Sequence, residues 1–193
     1  MSTTDPYAER VLDATYELVN RYGVRRTSMA DVVRASGVSK ATLFRRFPSK
    51  AELLNAIMVR EVTRFLAQLQ ERVASLEDPV ERLVETVVFF VEVAPEHELL
   101  RALIETDPET TLPLLTVDSA PILAFGQEYM RAELTRVQES GRELTASPEI
   151  CAELLTRISH SFLVQPASRF PLDDADAIRK LARATLVRMV LRK

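Results

Sequence analysis

Residues 27–50, TSMADVVRASGVSKATLFRRFPSK, decide the fold of this chain, because they carry the signals of two short helices joined by a tight turn. Ser28 is followed three residues later by Asp31, which is a capping-box-like start for the first helix. Gly37 supplies the positive φ that such a turn needs, and Ser39 is a suitable N-cap for the second helix. The stretch therefore predicts a helix-turn-helix.

The second of these helices has an apolar and a basic side. Leu43 and Phe47 are four residues apart, so they share one face and are expected to point inward. The other faces carry side chains that suit a phosphate backbone, namely Lys40, Thr42, Arg45 and Arg46. Arg45 and Arg46 alone would fit a solvated helix surface equally well. The caps, the glycine turn, the inward pair and the basic pair together favour DNA binding.

The charge distribution supports this interpretation. The 193 residues have a formal net charge of −3, which argues against a general nucleic-acid coat protein. Residues 1–60, however, contain ten Lys and Arg against six Asp and Glu, whereas residues 61–193 contain fifteen against twenty-two. The positive charge is therefore concentrated where the helix-turn-helix is predicted.

From about residue 7 to 60 the chain resembles the TetR family of bacterial transcriptional regulators. The matching segments are VLDATYELVNRYGV at 11–24, TSMADVVRASGVS at 27–39 and KATLFRRFPSKAELLNAI at 40–57. The resemblance implies that the helix beginning near residue 39 enters the major groove of DNA. It also implies that the segment before this helix and the start of the next helix hold phosphates.

Carried over by position, the resemblance implies eight DNA-binding residues, and Arg46 of the basic pair is the ninth that we predict. Thr27 and Ser28 are DNA contacts at the start of the first helix of the helix-turn-helix, and Lys40 and Ala41 are close to the bases. The backbone-proximal residues are Thr42, Phe44, Arg45 and Lys50. The family usually has Tyr where Phe44 stands, and Phe has no hydroxyl for a phosphate, so Phe44 either contacts DNA or only packs.

Helical periodicity and few glycines predict an all-α chain. Ser49 and Glu52 form a capping box for a long fourth helix, which joins a three-helix head to a helical body. Further helices are predicted near 79–94, 96–106, 118–139, 148–164 and 173–191, and an irregular or broken helix over 107–117. We expect residues 1–50 to form the DNA-binding domain and residues 51–193 the effector-binding and dimerisation domain.

Two clusters in the predicted body are candidates for binding. In the resembling family the middle helices enclose an effector pocket, so we expect a pocket lined by Phe89, Phe90, His97, Arg101, Leu103, Phe125 and Tyr129. Such a pocket would favour a small apolar or amphipathic effector of unknown identity. An ordinary core, with a solvated His97, would use the same residues.

The second cluster consists of apolar stripes on the last two helices. Its members are Ile150, Leu154, Ile158, Phe162, Ile178, Ala182, Leu186 and Met189. Stripes of this kind fit the four-helix bundle of a homodimer, although a core within one chain would use the same side chains. The resemblance favours the dimer.

Other classes of protein are less consistent with the sequence. The two histidines, His97 and His160, lack metal-ligand spacing, and no phosphate loop or nucleophile elbow is present, so we expect no catalytic group, metal or cofactor. A single cysteine fits a reducing cytoplasm, and no apolar run is long enough to span a membrane. The sequence thus predicts a ligand-responsive, homodimeric repressor that binds double-stranded operator DNA. The alternative is an effector-independent helical DNA-binding or adaptor protein.

Overall fold

The computed structural model describes residues 5–165 and 168–192, without the side chains at positions 110 and 114. These residues form helices and turns, with an isolated antiparallel bridge between Leu144 and Leu191. The helices are α1 (Pro6–Arg26), α2 (Met29–Ser36), α3 (Lys40–Arg46), α4 (Lys50–Val73), α5 (Pro79–Val93), α6 (Glu98–Thr106), α7 (Pro108–Leu115), α8 (Ala120–Glu139), α9 (Pro148–Val164), α10 (Ala175–Leu181) and α11 (Val187–Val190). The predicted all-α class is confirmed.

The chain packs as two compact units, and the first is discontinuous in sequence. It contains the residues up to Ala67 together with Glu98–Thr111. Helix α1 begins after Asp5, whose carboxylate accepts a hydrogen bond from the Tyr7 amide at 3.0 Å, and it breaks at Gly23, where φ is 79°. The core of this unit is formed by Val11, Leu12, Val19, Val32, Val38, Leu43, Phe47, Leu53, Ile57 and Leu99.

The second unit contains Gln68–His97 and the chain from Leu112 onward. Its aliphatic core is formed mainly by α5, α8, α9 and the last helices, with Leu83, Val84, Val88, Leu134, Val137, Leu155 and Val190 fully or almost fully buried. Helix α4 begins in the first unit and ends in the second. The predicted division at residue 50 concerns function rather than packing, and it stays a prediction.

The segment 107–117 differs from its prediction. An irregular or broken helix was expected there because of two prolines, but residues Pro108–Leu115 form the regular helix α7. Pro108 occupies the first helical position, where its fixed φ is favourable and its missing N–H is not needed. Pro113 lies near the end of the helix, so it removes a single hydrogen bond before α7 stops two residues later.

The last helical stretch contains a change of helix type. Asp174 is the N-cap of α10, and its carboxylate accepts from the Asp176 amide at 2.9 Å. Residues Ala182–Leu186 then form a π-helical turn that joins α10 to α11. A π-helical turn shifts the helical register, so side chains on either side of it do not follow one regular stripe.

Candidate functional site

Local side-chain interactions fix the helix-turn-helix. The Ser28 hydroxyl accepts from the Asp31 amide at 3.2 Å, and the Asp31 carboxylate accepts from the Ser28 amide at 3.0 Å, so the capping box is complete. Gly37 has a φ of 63°, as the predicted turn requires. The Arg10 guanidinium donates to the Ser36 carbonyl at 2.7 Å and would lie 3.0 Å from a Cβ at Gly37. A side chain at Gly37 would therefore be strained and would also crowd Arg10.

Helix α3 presents its basic side to solvent. Leu43 and Phe47 are buried in the core of the first unit, whereas Lys40, Ala41 and Arg45 are exposed. The Lys40 ammonium lies 5.8 Å from the centre of the Phe44 ring, which is itself 39% exposed. A cation at this distance from an aromatic face is attracted by it. The packing thus leaves Lys40, Ala41, Phe44 and Arg45 accessible on α3.

Besides Ser28, whose hydroxyl is used in the capping box, four predicted DNA-binding residues have contacts within the chain. Arg46 forms an ion pair with Asp5, and the Lys50 ammonium donates to the Val24 carbonyl at 2.6 Å. Thr27 is only 4% exposed and its hydroxyl donates to the Gly23 carbonyl at 2.9 Å.

Thr42 is half-buried, and its hydroxyl accepts from Ser39 at 3.0 Å. A phosphate contact by any of these four side chains would compete with an existing interaction. Lys40 and Arg45 are the better-placed cations.

The sequence prediction omitted basic residues beside Thr27. A surface groove of about 500 Å³ is lined by Leu18, Tyr22, Arg26, Thr27, Asp31, Arg34 and Ala35. Arg26 is exposed, whereas Arg34 forms an ion pair with Asp31. The signal for Arg26 was present in the sequence, since Arg25-Arg26 directly precedes the predicted phosphate-binding segment.

The neighbouring Arg25 is tied to a different part of the first unit. Its guanidinium lies 3.0 Å from the Asp107 carboxylate and 2.5 Å from that of Glu109. Asp107 is buried, and these contacts hold the pKa of the Arg25 guanidinium above its usual range, with Glu109 as the main cause. Arg25 thus joins the end of α1 to the start of α7, and it is not available as a free cation.

The residues predicted to bind an effector are divided between the two units. Arg101 and Leu103 belong to the first unit, where Leu103 packs against the core, whereas His97 belongs to the second. Phe89 is buried, Phe90 and Tyr129 are half-buried, and Phe125 is 50% exposed. Neither the groove beside Thr27 nor a second one lined by Gln138, Gly141, Arg142, Glu143, Leu144 and Arg192 includes any of the predicted residues. The pocket stays a prediction.

The second unit contains a buried ion-pair network that the sequence analysis did not predict. Glu133 on α8 is fully buried, and Arg82 on α5 donates to both of its oxygens at 3.2 and 3.3 Å. Arg136 donates to the same carboxylate at 2.7 Å. Arg82 also donates to the Val73 carbonyl at 2.6 Å, at the end of α4. One guanidinium therefore connects α5, α8 and the C-terminus of α4.

The predicted dimer residues fall into two groups. On α9, Ile150 and Leu154 are 55% and 44% exposed, so they form an apolar surface that a second chain could cover. Ile158, Phe162 and Met189 are half-buried against the core of the second unit.

Ile178, Ala182 and Leu186, on the last helical stretch, are buried in that core. These three side chains therefore pack within one chain, which is the alternative left open by the stripe pattern, and the dimer interface itself stays a prediction.

Comparisons with known proteins match both parts of the chain. Residues 11–57 match the description "Bacterial regulatory proteins, tetR family", and residues 78–191 match "Bacterial Tetracyclin repressor, C-terminal domain". The second match alone spans more than half of the chain. The chain belongs to the TetR family. The predicted family is confirmed, and the matched descriptions are those of bacterial regulatory proteins.

Individual relatives of this TetR-family chain are distant. It is 26% identical over 191 residues to the HTH-type transcriptional regulator AlkX of Mycobacterium tuberculosis, a match that covers 92% of the chain and 86% of AlkX. The chain spans about half the length of another M. tuberculosis regulator, with 29% identity over 99 residues that cover 51% of the chain and 49% of that relative.

Solved structures share the fold. The TetR family repressor AlkX from Dietzia sp. strain DQ12-45-1b, implicated in biodegradation of n-alkanes, has a TM-score of 0.64 and 20% identity, covering 96% of this chain and 97% of its own. The SmeT–triclosan complex has a TM-score of 0.62 and 21% identity, covering 98% of this chain and 93% of SmeT. At these identities the likeness supports the architecture of the TetR-family chain and nothing finer.

Within residues 5–165 and 168–192 no three His, Cys, Asp or Glu side chains are grouped so that they could hold a metal ion. Over the same ranges, each helix is too short or too polar to cross a membrane.

Proposed function

We propose that this TetR-family chain is a homodimeric repressor that leaves its operator when a small apolar or amphipathic effector binds. The observation that carries the DNA-binding part is the exposed face of α3, where Lys40 and Arg45 are accessible while Leu43 and Phe47 anchor the helix in the core. Lys40 and Ala41 are proposed to face base edges, and Arg45 to hold a phosphate. As bacterial operators are chromosomal, we place the protein in the cytoplasm.

Dimerisation is proposed through α9. Ile150 and Leu154 lie one helical turn apart and are both exposed, so they form an apolar surface that a second copy would bury. Two heads related by a two-fold axis would then contact successive major grooves of a pseudo-palindromic site, about 34–36 Å apart. This spacing is the general one for helix-turn-helix dimers.

Effector control is proposed by analogy with the solved relatives, such as the one in complex with triclosan. An effector that favours the conformation with the heads displaced would weaken DNA binding by its differential affinity for the two conformations. The alternative, an effector-independent DNA-binding or adaptor protein, would bind its operator equally in the presence of any small molecule.

The proposal is tested by selecting operators from random double-stranded DNA with the full chain. We expect a pseudo-palindromic site. Arg45→Ala should reduce the slope of log K against log salt by about one for each phosphate that the arginine neutralises, and therefore by about two in a dimer. Arg131→Ala, which removes an arginine in the second unit, is the matched control and should leave the slope unchanged. Failure to select any site would refute the DNA-binding role.

Repression is tested separately by in vitro transcription. When the selected site overlaps a promoter, added protein should lower transcript yield, and an increase would make the chain an activator instead.

A further inference from the structure

Helix α9 carries buried polar groups without a hydrogen-bond partner. Within the described part of the chain, the Thr156 and Ser159 hydroxyl oxygens and His160 Nε2 make no hydrogen bond. Thr156 and Ser159 are only 6% and 2% exposed. Buried hydroxyls are nearly always paired, and in helices they usually donate to the carbonyl four residues earlier, as Thr86 does to Arg82 at 2.9 Å. The unpaired groups therefore indicate a polar occupant that they would face.

These groups share one face of the helix and are bordered by α8. Positions 156, 159 and 160 are three and four residues apart, so they lie on the same side of α9. Opposite Thr156 is Gly126, where a Cβ would be 2.9 Å from Cγ2 of Thr156 and 3.7 Å from its hydroxyl oxygen. One turn further along α8 is the Tyr129 hydroxyl, which is also buried and lies beside the Thr86 hydroxyl on α5.

The polar groups begin where the aliphatic core ends. Met130 and Leu134 follow Tyr129 on α8, and Cys151 and Leu155 precede Thr156 on α9, and all four belong to the core of the second unit. An occupant at this place would therefore have apolar neighbours on one side and hydroxyl groups on the other. This arrangement matches a molecule with an apolar body and a small polar head.

These polar groups are also uncharged. Burial lowers the pKa of His160, so its imidazole is neutral near pH 7, and burial raises the pKa of Tyr129, so its phenol keeps its proton. The nearby buried carboxylate, Glu133, is already paired with Arg82 and Arg136. A charged ligand head would find no uncompensated opposite charge among these groups, and burying it would be costly.

We propose that Tyr129, Thr156, Ser159 and His160 bind the neutral hydroxyl or carbonyl head of an apolar effector. The inference rests on the proposed effector control, and its polar groups differ from His97 and Arg101, the polar side chains other than Tyr129 in the pocket predicted from the sequence. It excludes fatty carboxylates and alkyl amines, because the four groups offer hydrogen bonds but no charge.

The test uses thermal unfolding of the full chain at pH 7.5 with three probes of equal chain length, 1-decanol, decanoate and decylammonium. The two ions are kept below their micelle concentrations and 1-decanol below its solubility limit. We expect 1-decanol to raise the melting temperature and the two ions to leave it unchanged. Thr156→Val and Ser159→Ala remove a hydroxyl at nearly constant volume, and each should weaken 1-decanol binding by about fivefold. Thr135→Val, which removes a hydroxyl already paired with the Arg131 carbonyl at 2.9 Å, is the control and should not alter binding.

The variants should also differ in melting temperature when no ligand is present. Because Thr156 has no partner to lose, Thr156→Val should raise the melting temperature without ligand, whereas Thr135→Val should lower it or leave it unchanged. The proposal is overturned if either ion stabilises as much as 1-decanol, if the hydroxyl variants keep the full 1-decanol effect, or if no probe binds, which would leave water as the occupant. Operator selection is independent of these results, so a chain that selects DNA but binds no probe keeps its regulatory role and loses only this inference.

Discussion

The buried ion pair between Arg82 and Glu133 gives a quantitative prediction. Glu133→Gln keeps the shape of the side chain but leaves Arg82, whose side chain is only 13% exposed, without its counter-charge. Removing one partner of a buried pair typically costs about 3–5 kcal/mol. Because Arg82 retains some exposure and its bond to the Val73 carbonyl, we expect the lower end, about 3 kcal/mol in the free energy of unfolding.

Replacing both partners should cost less than replacing one. In Arg82→Met with Glu133→Leu, no buried charge remains unpaired, so the desolvation cost of both ions is avoided. The variant still loses the hydrogen bond to the Val73 carbonyl, which contributes about 0.5–1.5 kcal/mol. We therefore expect the double variant to be more stable than the single variant and within about 1.5 kcal/mol of the natural chain.

The measurement is urea unfolding at a fixed chain concentration, so that dimerisation contributes equally to every curve. Glu128→Gln is the control, because Glu128 lies on the same helix and also pairs with an arginine, but its side chain is 70% exposed. It should show no measurable change. The reasoning would be refuted if the double variant were less stable than Glu133→Gln, or if Glu133→Gln and Glu128→Gln behaved alike.

Three further predictions concern DNA recognition, assembly and pH. Lys40→Ala should change the DNA sequence that the protein selects, and it should cost about 1–3 kcal/mol of binding free energy at one base pair if the contact is bidentate to guanine. A uniform loss of affinity over all sequences would instead make Lys40 a phosphate contact. Leu154→Glu should give monomers in analytical ultracentrifugation, because it would place a charge in the proposed interface, and a dimer persisting at micromolar concentration would remove α9 from that interface. Arg179, with Arg72, holds the pKa of Glu85 below its usual range. The stability that ionised Glu85 contributes is therefore present above the pKa of an unfolded Glu, about 4.3, and is lost as the pH falls through the lower pKa of the folded state. Glu85→Gln should flatten the acid limb of a stability curve, and an unchanged limb would contradict the assignment.

The helix-turn-helix could be predicted in detail because its determinants are local. Ser28, Asp31, Gly37 and Ser39 act within three residues of their own positions, and the structure shows both caps and the left-handed turn where they were expected. The family could be recognised for the same reason. Contacts between distant positions could not be predicted, such as the bond from Lys50 to the Val24 carbonyl across 26 positions.

The apolar stripe on the last two predicted helices shows what helical periodicity cannot predict. Periodicity identifies which side chains share a face, but it does not say whether that face packs within the chain or against a partner. Ile178 and Leu154 have the same apolar character, yet the first is 2% and the second 44% exposed. The π-helical turn after Leu181 also changes the register in a way that no local sequence signal indicated.

The effector prediction followed the helices that enclose a pocket in the resembling family, and it could not show how this chain divides those helices between two units. His97, Arg101 and Leu103 lie within seven positions, but the boundary between the two units falls directly after His97. Leu99 is instead part of the core that supports the helix-turn-helix. The unpaired hydroxyls on α9 gave no signal in the sequence, since Ser and Thr in a helix are usually satisfied by the backbone.

The position of Glu98–Thr111 in the first unit has a consequence for engineering this protein. The chain passes from one unit to the other after Ala67, again after His97 and again after Thr111, so no single cut separates the head from the rest. A truncated head ending at residue 67 would expose the surface that Leu99 covers and leave Arg25 without Asp107. A chimeric regulator that borrows this head therefore has to carry α6 and the start of α7 with it, which requires a transplant of two segments rather than one crossover.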